Sequence, residues 1–184
     1  MKRVVITLLV IIFCCSYCNS YSQLYFTKNG RISFFSKTSL EDISANNNQV
    51  LSVINMQTGA IQFSLLNNAF YFPKAKMQDD FNDNYIESNK YPKSTFTGTI
   101  TDIGTINLNN DGNYQVHING DLTIHGITKN ITAPGTINIK SGNISAAASF
   151  KVLLTDYNIK VPTIVTNKIA KEIEVTVSCN YEKK

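Results

Sequence analysis

Residues Asp111–Lys129, DGNYQVHINGDLTIHGITK, decide how this chain folds. Tyr114, Val116, Ile118, Leu122 and Ile124 share one parity; Gln115, His117, Asn119, Asp121, Thr123 and His125 share the other. Alternation with a period of two is the pattern of a strand with one face in an apolar core and one in water. Asp111-Gly112 reads as the turn that opens the strand, and Gly126 as the residue that closes it. Gly120 lies on the inward parity in mid-strand, where a missing side chain marks a bend, a bulge or a close approach. A one-sided sheet bent at a glycine is expected to close on itself.

Working outward, the same period recurs. Ile32 and Phe34 share a face within Leu24–Phe35, interrupted at Gly30, and Val50–Met56 reads as a strand. Between them, Ser36–Asn48 is polar and reads as a loop or edge, with Asn46-Asn47-Asn48 as a turn. Thr58-Gly59 turns the chain into Ala60–Leu66, where Ile61, Phe63 and Leu65 align; Phe70 and Phe72 add apolar surface before Pro73. After Ser94 come Phe96–Ile100, Gly104–Leu108, the opening stretch, Thr136–Lys140 and Ile144–Val152. Thr155–Asn167 reads as a longer connection and Lys171–Tyr181 as the last strand. Short strands at close spacing with turn residues between them predict an antiparallel sandwich or barrel.

One segment departs from this period. In Met77–Tyr91, Met77, Phe81 and Tyr85 recur every four residues with Ile86 beside them, which predicts a helix ended by Pro92. Asp79 and Asp80 are read at its N-terminus, where acidic groups oppose the helix dipole. The stripe suits either a lid over a cavity or a helix that only covers the core.

The N-terminus reads as a secretory signal. Lys2-Arg3 precedes an apolar run from Val4 to Cys15, and Ser20 and Ser22 stand where a signal peptidase accepts small residues before Gln23. The run is well short of the roughly 20 residues that span a bilayer. Phe13, Cys14 and Tyr17, which precede the three N-terminal cysteines, are not the small residues usual before a lipidated cysteine. Residues 1–22 are therefore expected to be removed, with no stable membrane anchor left and residues 23–184 forming one exported, periplasmic domain. Cleavage would leave Cys179 alone, on the parity of Val175 and Val177, so no internal disulfide is expected and the thiol reads as buried. Loss of Lys2 and Arg3 lowers the 17 basic residues to 15 against 13 acidic ones, a net charge of +2. With no basic patch, nucleic-acid binding has no support.

Catalytic chemistry is poorly supplied. The two histidines, His117 and His125, are read on the outward parity, too far apart to chelate one metal, with a turn-stabilising hydrogen bond as the alternative for His125. No nucleophile motif, metal-ligand cluster or phosphate loop appears, so no enzyme, metal site or cofactor is expected. The inward parity is more informative. It mixes Gly98, Gly120, Ala146 and Ala148 with Phe63, Phe96, Ile118, Leu122, Ile124 and Phe150, and Ile100 and Val175 extend this candidate apolar lining. Small residues among large ones leave a slot for one ligand unless opposite aromatic rings fill it. Met77, Phe81 and Tyr85 are the candidate lid. The alternative is a filled-core structural or interaction barrel with no ligand.

Several motifs together resemble the YceI-like family of exported bacterial lipid-binding proteins. They are Lys90-Tyr-Pro92 with Thr95-Phe96, Gly120-Asp-Leu-Thr-Ile-His-Gly-Ile-Thr-Lys129, Ala148-Ser-Phe150 and Asp156-Tyr-Asn-Ile159, in matching order from about Gln23 to Tyr181. The resemblance implies a lipocalin-like, extended antiparallel β-barrel of about eight strands with one short helix. It also implies a long amphiphile inside, typically a polyisoprenoid such as an isoprenoid quinone or polyprenyl phosphate, and leaves a homodimer open. Two segments depart from the family pattern. Phe26–Ser33 replaces the usual Asp/Ala-His-Ser opening, and Met77–Phe81 stands where many members carry Arg and His. If those residues touch a head group in relatives, the polar end of the ligand differs here while the apolar tail site is less affected.

Overall fold

The alternating stretch is one wall of a closed barrel. A computed structural model describes residues 23–184; the signal-peptide reading of residues 1–22 falls outside them. The strands are β1 (Leu24–Lys37), β2 (Asp42–Asn55), β3 (Ala60–Leu66), β4 (Lys93–Ile100), β5 (Gly112–Ile124), β6 (Ile127–Lys140), β7 (Asn143–Leu153) and β8 (Glu172–Lys183). Each pairs antiparallel with its sequence neighbour, and β8 pairs with β1 to close the ring. In β5, Val116, Gly120 and Leu122 are buried while Gln115, His117, Asn119 and Asp121 are exposed, as the parity requires.

Two hairpins are set by left-handed pairs. His125 and Gly126 (φ 51° and 72°) join β5 to β6, and Ser141 and Gly142 (φ 49° and 78°) join β6 to β7. Two consecutive positive φ values match the right-handed twist of the flanking strands. In β1 the register shifts around Gly30, where an added Cβ would stand 2.8 Å from Cys179 Sγ and 3.1 Å from the Val50 carbonyl oxygen. The glycine lets three strands approach there.

Three sequence expectations are corrected. Ser36–Asn48 is not a loop: only a turn at Thr38–Glu41 interrupts the strands, held by the Thr38 hydroxyl, which accepts from the Glu41 amide at 3.0 Å. Within β2, two of the asparagines find partners for their side chains, Asn46 accepting from Arg31 at 2.8 Å. Asn47 is fully buried, donates to the Leu66 carbonyl at 2.9 Å and accepts from the Gln49 amide at 2.9 Å. Gly104–Leu108 is not a strand. It belongs to a coiled connection with a 3-10 turn at Ile103–Thr105, bent again at Asn107, whose side chain accepts from the Asn109 amide at 3.0 Å. This connection packs Ile103, Ile106 and Leu108 against the core at the lower end of the barrel.

The predicted helix is shorter and shifted. Helix α1 (Ala75–Asp80) passes into one π-helical turn, Phe81–Tyr85, and stops at Glu87, whose φ of 49° is left-handed, before Pro92 is reached. Asp79 and Asp80 therefore lie at the C-terminal end of α1, not at its N-terminus.

The apolar interior has levels. In the lower barrel Ile54, Ile61, Ile100, Val116, Ile137, Ile139, Val177 and Cys179 are buried together, each worth about 1.5–3 kcal/mol for a large aliphatic side chain. Ser52 and Tyr181 share a 2.7 Å hydrogen bond inside this cluster. Two smaller clusters occupy the upper end, one around Phe70 and Phe72 and one around Ile86, Leu122, Val152 and Tyr157.

Candidate functional site

The upper end is not filled. A cavity of about 540 Å³ lies between the helical segment, the upper barrel wall and the connection from β7 to β8. That volume falls within the range of small-molecule sites. Its wall is mainly apolar: Phe34, Leu65, Leu122, Phe150, Val152 and Val175 come from strands, and Leu154, Ile159 and Ile169 from the β7–β8 connection.

The helical segment spans the opening because its stripe has an aromatic bed. The Phe81 ring lies 5.1 Å from Phe72, 5.6 Å from Phe70 and 5.6 Å from Phe34 between centroids. Such clusters add about 0.5–1.5 kcal/mol per pair beyond the area they bury. Met77, Phe81 and Tyr85 all line the cavity and remain only half-buried. The Tyr85 hydroxyl is pushed above its ordinary value first by burial, then by Asp80.

Charged groups gather at the rim. Lys74 pairs with Glu41 and Lys76 with Asp80, each at 3.1 Å. Lys168 also lines the opening and has no ion-pair partner among the described residues. Deeper polar side chains are satisfied: Asn67 donates to the Tyr91 carbonyl and accepts from Ser94 at 2.8 Å, and Ser36 accepts from the Ala170 amide.

The candidate lining divides at mid-barrel. Leu122, Ile124, Phe150 and Val175 line the cavity, together with the three helical residues. Phe63 and Phe96 lie directly below it, facing each other across β3 and β4 at 6.3 Å between ring centroids. Gly98, Ile100, Ile118, Gly120, Ala146 and Ala148 lie lower still and do not line it. Gly98 and Gly120 are partners in the β4–β5 ladder, and a Cβ on either would stand 2.6 or 2.7 Å from Phe96 Cζ. The paired glycines make room for that ring instead of for the upper cavity. Phe34, Leu65, Phe70 and Phe72 were not among the sequence candidates, although the alternation of Phe70 and Phe72 was the available signal. The lining from Leu154, Ile159 and Ile169 sits in irregular chain with no period to read.

His125 corrects the outer-parity reading and fits the alternative one, a hydrogen-bonding group at the β5–β6 turn. It is buried, not on an outer face, because the left-handed turn removes it from the strand's parity. Its Nε2 lies 2.6 Å from a Glu87 carboxylate oxygen, its Nδ1 3.0 Å from the Tyr157 carbonyl, and its ring meets Tyr91 edge-on at 4.5 Å. The hydrogen bond from His125 holds the Glu87 carboxyl below its usual value. The contact ties the end of the helical segment to the β5–β6 turn and to the 3-10 turn Leu154–Tyr157. His117, by contrast, is exposed and pairs with Asp102 at 2.9 Å, which lowers the Asp102 carboxyl.

Among the described residues no group of three or more His, Cys, Asp or Glu is placed to hold a metal ion, and no helix is long and apolar enough to cross a membrane. Burial pushes the Cys179 thiol up to about 11, which removes its nucleophilic form at neutral pH.

An up-and-down, eight-stranded antiparallel barrel with an apolar cavity beneath a helical flap is of the lipocalin-like class. Within that class, the chain belongs to the YceI-like domain family, whose model matches residues 19–181. Solved structures agree in fold. A polyisoprenoid-binding domain from Saccharophagus degradans, implicated in plant cell wall breakdown, superposes with TM-score 0.77 at 15% identity, covering 89% of this chain and 100% of that one. BcnA from Burkholderia cenocepacia gives TM-score 0.70 at 16% identity over 84% of this chain and 96% of its own. The YceI protein of Campylobacter jejuni gives 0.55 at 17% identity over 86% of each chain. No curated protein matches the chain by sequence.

Proposed function

We propose that this protein is an exported carrier or store for one long apolar amphiphile, of the isoprenoid type, held with its tail in the upper barrel. The observation that carries this reading is the cavity of about 540 Å³, whose wall is mainly apolar and whose mouth is spanned by Met77, Phe81 and Tyr85. An unfilled apolar space supports a binding protein over a filled-core module. Removing apolar surface from water supplies about 25 cal/mol per Å² on both partners, and this non-directional term suits a hydrocarbon tail. The binding of polyisoprenoid by the Saccharophagus degradans domain of the same fold supports the ligand class.

The polar end of the amphiphile would sit at the rim, where Lys168 has no ion-pair partner among the described residues and Lys74 and Lys76 can exchange their carboxylate partners for an anionic head. The Met77–Tyr85 segment opens and closes over it. No catalytic role is assigned, and no cofactor is proposed. Export rests on the Lys2-Arg3 and Val4–Cys15 pattern; N-terminal sequencing of the mature protein checks it, with Gln23 expected as the first residue.

Purification without detergent, followed by native mass spectrometry and organic extraction, tests the binding reading. A mass increment that is released into solvent as a prenyl lipid is the expected result. A protein that emerges empty and takes up no prenyl lipid when offered one would overturn it.

A further inference from the structure

The barrel interior is interrupted at mid-height. Ile32, Phe63, Phe96 and Phe150 each pack against the lower core and also against one of the two upper clusters, so they form the layer between them. Phe63 and Phe96 meet across this layer. The Phe96 ring lies on the Gly98–Gly120 pair, so close that a Cβ on either glycine would stand within 2.7 Å of its Cζ. Below the layer, Ile118, Ala146 and Ala148 face inward yet remain only half-buried. These three residues pack against the lower core and do not line the upper chamber.

We infer that Phe96, braced by Phe63, is a stop that sets the length of tail this barrel accepts. The inference rests on the lipid-binding reading above and adds a chain-length limit to it. At about 30 Å³ per heavy atom, the volume share of a water-sized group in a liquid, the chamber above the stop takes on the order of 18 heavy atoms. That is a tail of three to four isoprene units. Longer tails leave their excess in water, or must displace a ring that is seated against backbone. Phe96 is thus a specificity residue, and its removal deepens the upper chamber toward Ile118, Ala146 and Ala148 by the volume of the ring.

The test offers the delipidated protein linear prenyl alcohols of three, four and nine isoprene units and reads occupancy by native mass spectrometry. The wild type is expected to retain the three- and four-unit alcohols about tenfold or more over the nine-unit one, a difference of about 1.4 kcal/mol. Phe96→Ala should shift the preference toward the nine-unit alcohol by about fivefold or more. Phe96→Leu, which keeps an apolar side chain but removes the ring, should shift it in the same direction and serves where Phe96→Ala does not fold. Equal retention of all three lengths by the wild type, or an unchanged preference in a folded Phe96 variant, overturns the stop while leaving lipid binding intact. Uptake of no alcohol at any length, by wild type and variants alike, overturns the lipid-binding reading itself.

Discussion

Glu87 and His125, 38 residues apart in sequence, meet at 2.6 Å with their backbones in the same left-handed conformation (φ 49° and 51°). Non-glycine residues are uncommon in that region; His enters it more readily, with Asn and Asp, than Glu does. Glu87 ends the helical segment and His125 makes the β5–β6 turn, so the contact fastens the flap to the barrel. The Tyr157 carbonyl and the Glu87 carboxylate face the two ring nitrogens of His125, one each.

Acid should loosen this fastening. The Glu87 carboxyl is held below its ordinary value of 4.5, first by its hydrogen bond from His125. A depressed carboxyl contributes stability that is present above its unfolded value and lost as pH falls through the folded one. Protection factors for the amides of residues 75–91, which correct exchange rates for their intrinsic pH dependence, are expected to fall below about pH 4.5 in the wild type. In Glu87→Gln they should be lower at neutral pH and nearly flat across the same window. Equal acid sensitivity in both proteins would show that Glu87 does not hold the flap.

His125→Asn separates backbone from side chain. Asparagine tolerates the left-handed turn but cannot reach both the Tyr157 carbonyl and Glu87. A loss of about 1–3 kcal/mol in denaturant-derived stability is expected from the buried contacts given up. The barrel should keep its β-sheet circular dichroism.

Phe81→Ala should open the flap without unfolding the barrel. The ring touches Phe34, Phe70 and Phe72 but is only half-buried, so the expected cost is about 2 kcal/mol, below the 3–5 kcal/mol of a fully buried Phe. Release of a bound prenyl lipid, followed by stopped-flow fluorescence with an apolar dye, should quicken about tenfold or more.

Gly30 and Cys179 should be energetically coupled. A Cβ at residue 30 would stand 2.8 Å from the Cys179 sulfur, so Gly30→Ala is expected to cost about 1–3 kcal/mol by overpacking. Cys179→Ala removes the sulfur, and the double variant should recover about 1 kcal/mol relative to the sum of the singles. Strict additivity in urea melts would place the strain elsewhere, for instance at the Val50 carbonyl.

The Cys179 thiol, buried and raised to about 11, should resist labelling in the folded state. A maleimide at pH 7 is expected to modify it at least a hundredfold more slowly than in guanidinium, where a thiol regains its ordinary pKa of about 8.5. Equal rates would mean that the lower barrel opens readily.

By itself the sequence determined the strand faces, since alternation along Tyr114–Ile124 is a local property that the sheet inherits residue by residue. It also indicated the helical stripe of Met77, Phe81 and Tyr85, because that spacing is equally local. The family resemblance supplied the closure into eight strands. Polar residues misled where partners were distant: Asn47 reads as a turn until the Leu66 carbonyl is seen to satisfy it. Parity also failed at His125, because a turn with two positive φ values breaks the period and swings the ring inward. The position of the cavity was decided only by the tertiary structure. Small inward residues at Gly98 and Gly120 suggested an empty slot, but whether a gap stays empty depends on which ring from which strand falls into it. Here Phe96 covers the glycines, and the open space lies above it, under the flap and the β7–β8 connection.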